Sequence, residues 1–374
     1  MGGSGDDTLD AGSEGGWDES TQQPHGGQEW KFLDNFVTDF SVTTNALGPP
    51  PGALAAARAA IDEIHHYPPA DMEPARSELA KFLWPTEWRR HLPSLLLGNG
   101  ASELIDLIVR DSPPGPWKPG QMLTQYKEYE RSALAAGRWT VPWDHREATL
   151  TCMVNPTNPT GDYWDLGEMQ AYAERYCRAG STLIVDESML PWLGPSWRDE
   201  SLLGERARPW IERMREQRGL AVWVMVSWTK IWSCTGLRIG SVIAPTVMDA
   251  DRVRTRQVPW SVNVPALAFL AAAVKDIAYL ERTWEVTTPW RKHLVDKLAA
   301  QHPTWTLYGA EFLSWVWIDT HNAEQAARAA ALARAAGVPL RHGRPGYDLP
   351  KHIRLAVREP EHTDLLLKAL SELA

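Results

Sequence analysis

The chain has 374 residues, 44% of them apolar and 23% charged, with a formal net charge of −9. That length supports one large core with a smaller domain beside it, and the composition is that of a soluble globular enzyme. The acidic balance and the lack of a basic run argue against a nucleic-acid partner, and no apolar run approaches a membrane span.

Cys152, Cys177 and Cys234 are spaced for neither a disulfide framework nor a zinc site, and the first residues lack the basic and apolar parts of a signal peptide. A reducing cytoplasm is the expected compartment, and no metal site is expected. The 20 tryptophans read as core and rim packing.

In chain order, residues 1–23 are rich in Gly, Asp, Ser and Glu and read as a disordered tail. Residues 39–45 read as a strand running into a Pro-Gly loop, followed by a helix over 53–64 and a turn at His66-Tyr67-Pro-Pro. A strand at 94–97 turns through Gly98-Asn99-Gly100 into a helix over 101–110. A short strand at 121–124 precedes a helix beginning near Tyr126. The strand 150–154 ends in Asn155-Pro-Thr-Asn158-Pro-Thr-Gly161. A helix over 166–179 leads to the strand 181–185, capped by Asp186-Glu187-Ser188. The apolar run 220–226 is the next strand and delivers Ser227-Trp-Thr229-Lys230. Repeated β-then-α order implies a mainly parallel sheet between helices, with ligand groups at the strand carboxyl ends. After a strand at 241–244, an alanine-rich helix over 266–280 is expected to bridge to a small α+β domain with strands near 312–318 and 352–357.

Lys230 sits where such a sheet presents reagents, and three readings meet there. Ser-x-x-Lys is the nucleophile signature of penicillin-recognising serine enzymes, but their Ser-Asp-Asn and Lys-Thr-Gly companions are absent. A plain surface lysine after a core strand is the second. The third adds Gly236, Arg238 and Gly240. Ser227-x-Thr229-Lys230 followed by Leu-Arg238-x-Gly240 resembles the lysine segment of fold type I enzymes that use pyridoxal 5'-phosphate. There the lysine forms a Schiff base with the cofactor aldehyde, and the hydroxyls and the arginine hold its phosphate.

Such a cofactor needs further groups, and the chain offers a candidate for each. Gly100 and the amides of Ala101 and Ser102 at a helix start suit a phosphate, completed by Ser227, Thr229 and Arg238. As a dinucleotide loop the same turn lacks the third glycine, its place taken by Glu103. Asp186 is placed to keep the pyridine nitrogen protonated, or else caps a helix. Asn158 is the candidate donor to the ring oxygen, or else a turn residue. Tyr126, with Tyr129 nearby, offers an aromatic face, or else is a buried structural tyrosine.

Taken together, Asp39-Phe-Ser…Asn45, His66-Tyr67-Pro, Gly98-Asn-Gly, Asn158-Pro-Thr-Gly, Asp186-Glu, the Lys230 segment and the late Arg354 resemble one branch of the class I/II aminotransferases. It is the branch of histidinol-phosphate aminotransferase and L-threonine-O-3-phosphate decarboxylase, and the likeness runs from about residue 25 to 370. It implies an α/β, fold type I architecture: a large domain with a mainly parallel sheet between helices, plus a small α+β carboxyl-terminal domain. The implied division is a tail (1–23), a segment lining the active site (24–52), the cofactor domain (53–265), and an interdomain helix with the small domain (266–374). It also implies pyridoxal 5'-phosphate and a homodimer in which Tyr67 reaches the neighbouring subunit's cofactor phosphate.

His25-Gly-Gly, the segment Gln257…Asn263 and the arginine-bearing stretch Arg341…Arg354…Arg358 lean toward the decarboxylase. That likeness gives Arg354 the substrate α-carboxylate, and His25, Asn45 and Arg341 a distal anion. Two positions depart from the pattern. Met189 stands where the aminotransferases carry tyrosine and the decarboxylase an apolar aromatic, and Thr-Gln-Tyr126 replaces a proline-containing turn. The implied activity is at the α-carbon of an amino acid bearing a distal anionic group, first decarboxylation of an O-phosphorylated amino acid. Transamination of the histidinol-phosphate type is one alternative. Elimination, γ-replacement or carbon–carbon bond formation in specialised metabolism, for example on a sulfonium amino acid, is another. A binding module that kept the fold is disfavoured by the retained Lys230 and Asp186.

Overall fold

The computed structural model describes Trp17, Asp18 and residues 21–373. Six strands form the larger sheet: β1 (Leu95–Asn99), β2 (Trp117–Pro119), β3 (Leu150–Val154), β4 (Thr182–Asp186), β5 (Ala221–Val226) and β6 (Ile239–Ile243). Their order is β1-β6-β5-β4-β3-β2. β2 to β5 run parallel, whereas β6 is antiparallel to both β1 and β5.

Every residue of β3 and β4 is buried, as expected of parallel strands covered on both faces. The two-residue period of β5 sorts its side chains. Val222, Val224 and Val226 enter one core with Leu79, Trp228 and Phe269, while Trp223 and Met225 enter the other with Ile105, Ile108 and Tyr129. The pairings Val154↔Asp186 and Asp186↔Met225 keep the carboxyl ends of β3, β4 and β5 level, so the loops after them share one crevice.

The smaller sheet is antiparallel, in the order β7 (Thr306–Tyr308), β8 (Trp315–Asp319), β10 (His352–Ala356), β9 (Arg341–His342). Helices Ala323–Ala335 and Pro360–Leu370 close its core around Val316, Ile318, Ile353 and Leu355.

Several elements differ from expectation. The helix that reaches both hydrophobic cores is Ile277–Gln301. Its Tyr279 and Leu280 enter the large core, and its Leu294 and Leu298 the small one. The alanine-rich helix stops earlier, at Val264–Ala273, and the Asp276 side chain caps a fresh start by accepting from Tyr279 N. The expected strand at 121–124 does not form; pairing to β3 is made by β2 upstream. Gln125 instead bridges the gap, donating to Cys152 O at 2.9 Å and accepting from Gly120 N at 3.3 Å.

Residues 39–45 are not a strand beyond one bridge, Phe40↔Leu340. Arg358 takes their carbonyls instead, donating to Asp39 O, Val42 O and Thr44 O. The expected tail lies partly outside the described residues. Its end is not loose: the Trp17 indole donates to His25 O at 2.7 Å, and the Gln23 amide to Gly346 O at 3.3 Å. Trp197, Trp223, Trp228, Trp232, Trp315 and Trp317 are fully buried packing residues.

Candidate active site

Lys230 leaves β5 in a turn whose backbone is gripped from the amino-terminal segment. Asn45 N donates to Lys230 O at 3.0 Å, and Asn45 Nδ2 to Ile231 O at 3.0 Å and to Thr283 Oγ1 at 2.7 Å. Burial lowers the Lys230 amine to about 8, the Arg238 and Arg354 guanidiniums add to this, and the Asp186 charge opposes it. One cavity brings Lys230 together with Asp186, Asn158, Tyr126, Ser102 and Arg238.

Asp186 ends β4, buried. Its Oδ1 accepts from Ser188 N and its Oδ2 from the Tyr129 hydroxyl, each at 2.9 Å. Burial pushes the carboxyl above its ordinary range, against those hydrogen bonds and the nearby lysine. A cationic ring nitrogen would suit such a carboxylate.

An anion cradle lies on the other side. The helix Gly100–Asp111 begins at the cavity, and its first amides have no acceptor within the helix. Gly100 has φ +73°, and a Cβ there would collide with Arg238 Nη2. A Cβ on Gly240 would stand 2.7 Å from Ala101 N. The missing side chains therefore let the arginine and the helix start close on one point. Ser227 Oγ and Thr229 Oγ1 lie 2.9 Å apart at its edge.

Arg354 is buried on β10. It donates from Nη2 to Ser41 O at 2.6 Å and from Nη1 to Asn158 Oδ1, while its Nε has no partner among the described residues. Met189 lines the cavity wall, only 3% exposed, and presents no hydroxyl.

A second cleft opens from this cavity, sharing Ser102, Tyr126, Lys230 and Arg238 with it and adding Trp17, His25, Glu128 and Arg131. His25 Nε2 lies 2.9 Å from Glu128 Oε1, and its ring meets Trp17 edge-on and Tyr126 at 5.5 Å.

Two expected distal-anion residues face elsewhere. Asn45 spends its amide on the lysine turn, and its Oδ1 accepts from Leu47 N. Arg341 Nη2 donates to Pro24 O at 3.0 Å and Pro345 O at 2.7 Å, which ties β9 to the segment carrying His25. Neither they nor Arg354 line the two cavities, but Arg354 is bonded to Asn158, which does. Tyr67 is 77% exposed and stacks on Trp260 at 4.4 Å, outside its own chain's cavity. Glu128 and Arg131 were not anticipated; the i, i+3 spacing of opposite charges just after Tyr126 was the signal available.

A buried lysine, a buried carboxylate and an anion cradle at the ends of parallel strands define a fold type I pyridoxal-phosphate site. The donor set would fit that cofactor: Lys230 could meet its aldehyde, Asp186 its ring nitrogen, Tyr126 its ring, and Arg238 with the helix start its phosphate. Residues 131–370 match the family Aminotransferase class I and II, and the chain belongs to it. Its cofactor is pyridoxal 5'-phosphate.

The chain is 28% identical over 346 residues to the histidinol-phosphate aminotransferase of Symbiobacterium thermophilum, covering 87% of each. It is 29% identical over 269 residues to the threonine-phosphate decarboxylase of Salmonella typhimurium, covering 66% of this chain and 67% of that one. In fold it matches histidinol-phosphate aminotransferase from Sinorhizobium meliloti in complex with pyridoxal-5'-phosphate, with a TM-score of 0.77 and 21% identity. That match covers 98% of this chain and 99% of that one. The L-threonine-O-3-phosphate decarboxylase of Porphyromonas gingivalis aligns at a TM-score of 0.71 and 18% identity, covering 90% and 99%.

Proposed function

We propose that the protein breaks a bond at the α-carbon of an amino acid with an anionic side-chain end, by decarboxylation of an O-phosphorylated amino acid. One observation carries the amino-acid part of the reading: Arg354, buried and tied to Asn158 of the cavity, keeps Nε without a partner among the described residues. A substrate carboxylate is the partner such a guanidinium suits.

When bound, pyridoxal phosphate supplies an aldehyde that takes up an amine and a protonated ring that accepts electrons from the α-carbon. Asp186 would keep the ring nitrogen protonated. Lys230, lowered to about 8, has a neutral share near physiological pH and moves a proton at Nζ. Arg354 would hold the substrate carboxylate and so set which α-carbon bond is oriented to break, with Lys230 Nζ placed to take or give the proton. Met189 supports decarboxylation, because the wall there lacks the tyrosine hydroxyl of the aminotransferases, and the Salmonella relative supports it by its named activity.

Transamination is the second reading, favoured by the Symbiobacterium relative, which aligns over more of the chain. A homodimer is supported by the exposed patch of Tyr67, Val258 and Trp260. Among the described residues no helix is long and apolar enough to cross a membrane. A cytoplasmic setting accords with the three free, buried cysteines.

Mass spectrometry of products from the holoprotein, O-phospho-L-threonine and 2-oxoglutarate tests the reading, with Lys230→Ala as blank. Aminopropanol phosphate supports decarboxylation and glutamate supports transamination. Unchanged substrate overturns the choice of a phosphorylated threonine.

A further inference from the structure

The turn after the helix Pro51–Ala59 gathers three metal-ligand side chains on the surface, outside the cofactor cavity. A 3-10 turn, Ala60–Glu63, ends at Glu63, and His66 N donates to Glu63 O at 3.0 Å, which folds the chain back on itself. His66 Nε2 then lies 4.0 Å from Glu63 Oε2, and the rings of His65 and His66 stand side by side with centroids 3.9 Å apart. One ligand atom from each of Glu63, His65 and His66 falls within 4.8 Å of the others. No other three His, Cys, Asp or Glu side chains among the described residues come together in this way.

His65 adds an independent sign. Its Nδ1 lies 3.1 Å from Asp62 O, and a carbonyl oxygen only accepts, so in the neutral ring Nδ1 carries the proton and Nε2 keeps its lone pair. A backbone carbonyl on the far nitrogen is how proteins orient a histidine toward a metal ion.

We propose that Glu63, His65 and His66 form a surface site for a divalent transition-metal ion of the zinc type, with water completing its coordination. Two imidazoles and one carboxylate suit zinc better than magnesium or calcium, whose sites are built from oxygen. Ligand atoms on a tetrahedral zinc ion stand roughly 3.4 Å apart at bond lengths of about 2.1 Å. The gap between His66 and Glu63 therefore closes by a small rotation of two side chains that are both exposed. The site contains no cysteine, so the spacing of Cys152, Cys177 and Cys234 has no bearing on it. Tyr67 follows His66 directly and stacks on Trp260 at 4.4 Å, so an ion that ties residues 63, 65 and 66 together also fixes the approach to that stack.

The experiment titrates holoprotein with zinc chloride by isothermal calorimetry, in a buffer free of phosphate and chelators. Wild type should take up one ion per chain at this site, and magnesium chloride should give no such isotherm. His65→Ala and His66→Ala should each weaken binding by roughly tenfold or more, the scale on which even the outer partners of a metal site act. Glu63→Gln should weaken it as well. His293→Ala removes a histidine that faces a single carboxylate, Asp364, at 2.8 Å, and should leave zinc binding unchanged. All three ligand residues are exposed, so their variants should keep the wild-type cofactor absorbance, which reports that each is folded. Zinc held by His65→Ala and His66→Ala as tightly as by wild type overturns the site, and so does a wild type that binds none. Either result leaves the reaction proposed at Lys230 standing.

Discussion

The Tyr129 hydroxyl donates to Asp186 Oδ2 across 2.9 Å, with both groups buried at the end of β4. Burial already pushes the Asp186 carboxyl up, and this hydrogen bond is one of the few interactions drawing it back toward the charged form. Tyr129→Phe removes the donor, so the carboxyl moves further up and holds a ring proton less firmly. A hydrogen bond to a charged group is worth about 1.5–3 kcal/mol. We expect kcat to fall by roughly tenfold or more on that scale, with weaker cofactor retention on dialysis. Unchanged turnover and retention would show that Tyr129 only packs.

Gly100 is the second test, because two separate constraints meet on it. Its φ of +73° disfavours any side chain, and a Cβ would press on Arg238 Nη2. Gly100→Ala should displace the arginine from the cradle and weaken cofactor binding by roughly tenfold, on the scale of one charge-assisted contact. Gly52 lies in the helix Pro51–Ala59, where an added methyl group would meet nothing within 4 Å, so Gly52→Ala is the control. Equilibrium dialysis of the cofactor decides; equal affinity in the two variants refutes the cradle.

Much of this site was legible because Lys230 and Asp186 lie at or next to strand ends, and buried strands leave a strong pattern. Thr182–Asp186 and Ala221–Val226 announce themselves as apolar runs, and whatever follows such a run in a parallel sheet reaches the crevice. The distal residues carry no such marker. Asn45 and His25 sit in the same irregular segment, yet the Asn45 side chain turns to the lysine backbone while the His25 ring lines the cleft. That difference depends on contacts to Thr283, Ile231 and Glu128, all distant in sequence. Residues 39–45 misled for a related reason: their extended pattern is stabilised by Arg358 rather than by a neighbouring strand.

Lys230 gives a pH dependence with a definite sign. Its amine is lowered to about 8, so the neutral form, the one that attacks an aldehyde, grows as pH rises through 8 and saturates above it. The rate at which apoprotein develops cofactor absorbance should follow that curve. An Asp186→Asn variant removes the negative charge that opposes the shift, so its midpoint should move to lower pH. A wild-type midpoint near that of an exposed lysine would mean that the amine stays in water.

Met189 bears most directly on which bond breaks. Its side chain fills the cavity wall at 3% exposure, in the position where the resemblance to aminotransferases calls for a tyrosine hydroxyl. Met189→Tyr adds volume to a packed wall, which typically costs about 1–3 kcal/mol, so a lower Tm is expected. It also adds a donor where the native wall has a thioether. A hydroxyl there would change the hydrogen-bonding groups of the wall that faces Lys230 and Asn158, so the partition between products should shift even if total turnover falls. With O-phospho-L-threonine and 2-oxoglutarate, the ratio of glutamate to aminopropanol phosphate should rise relative to wild type. The ratio is the informative quantity, because loss of stability lowers both products together. An unchanged ratio in cofactor-loaded Met189→Tyr would remove this position from the choice of reaction and leave that choice to the way Arg354 holds the carboxylate.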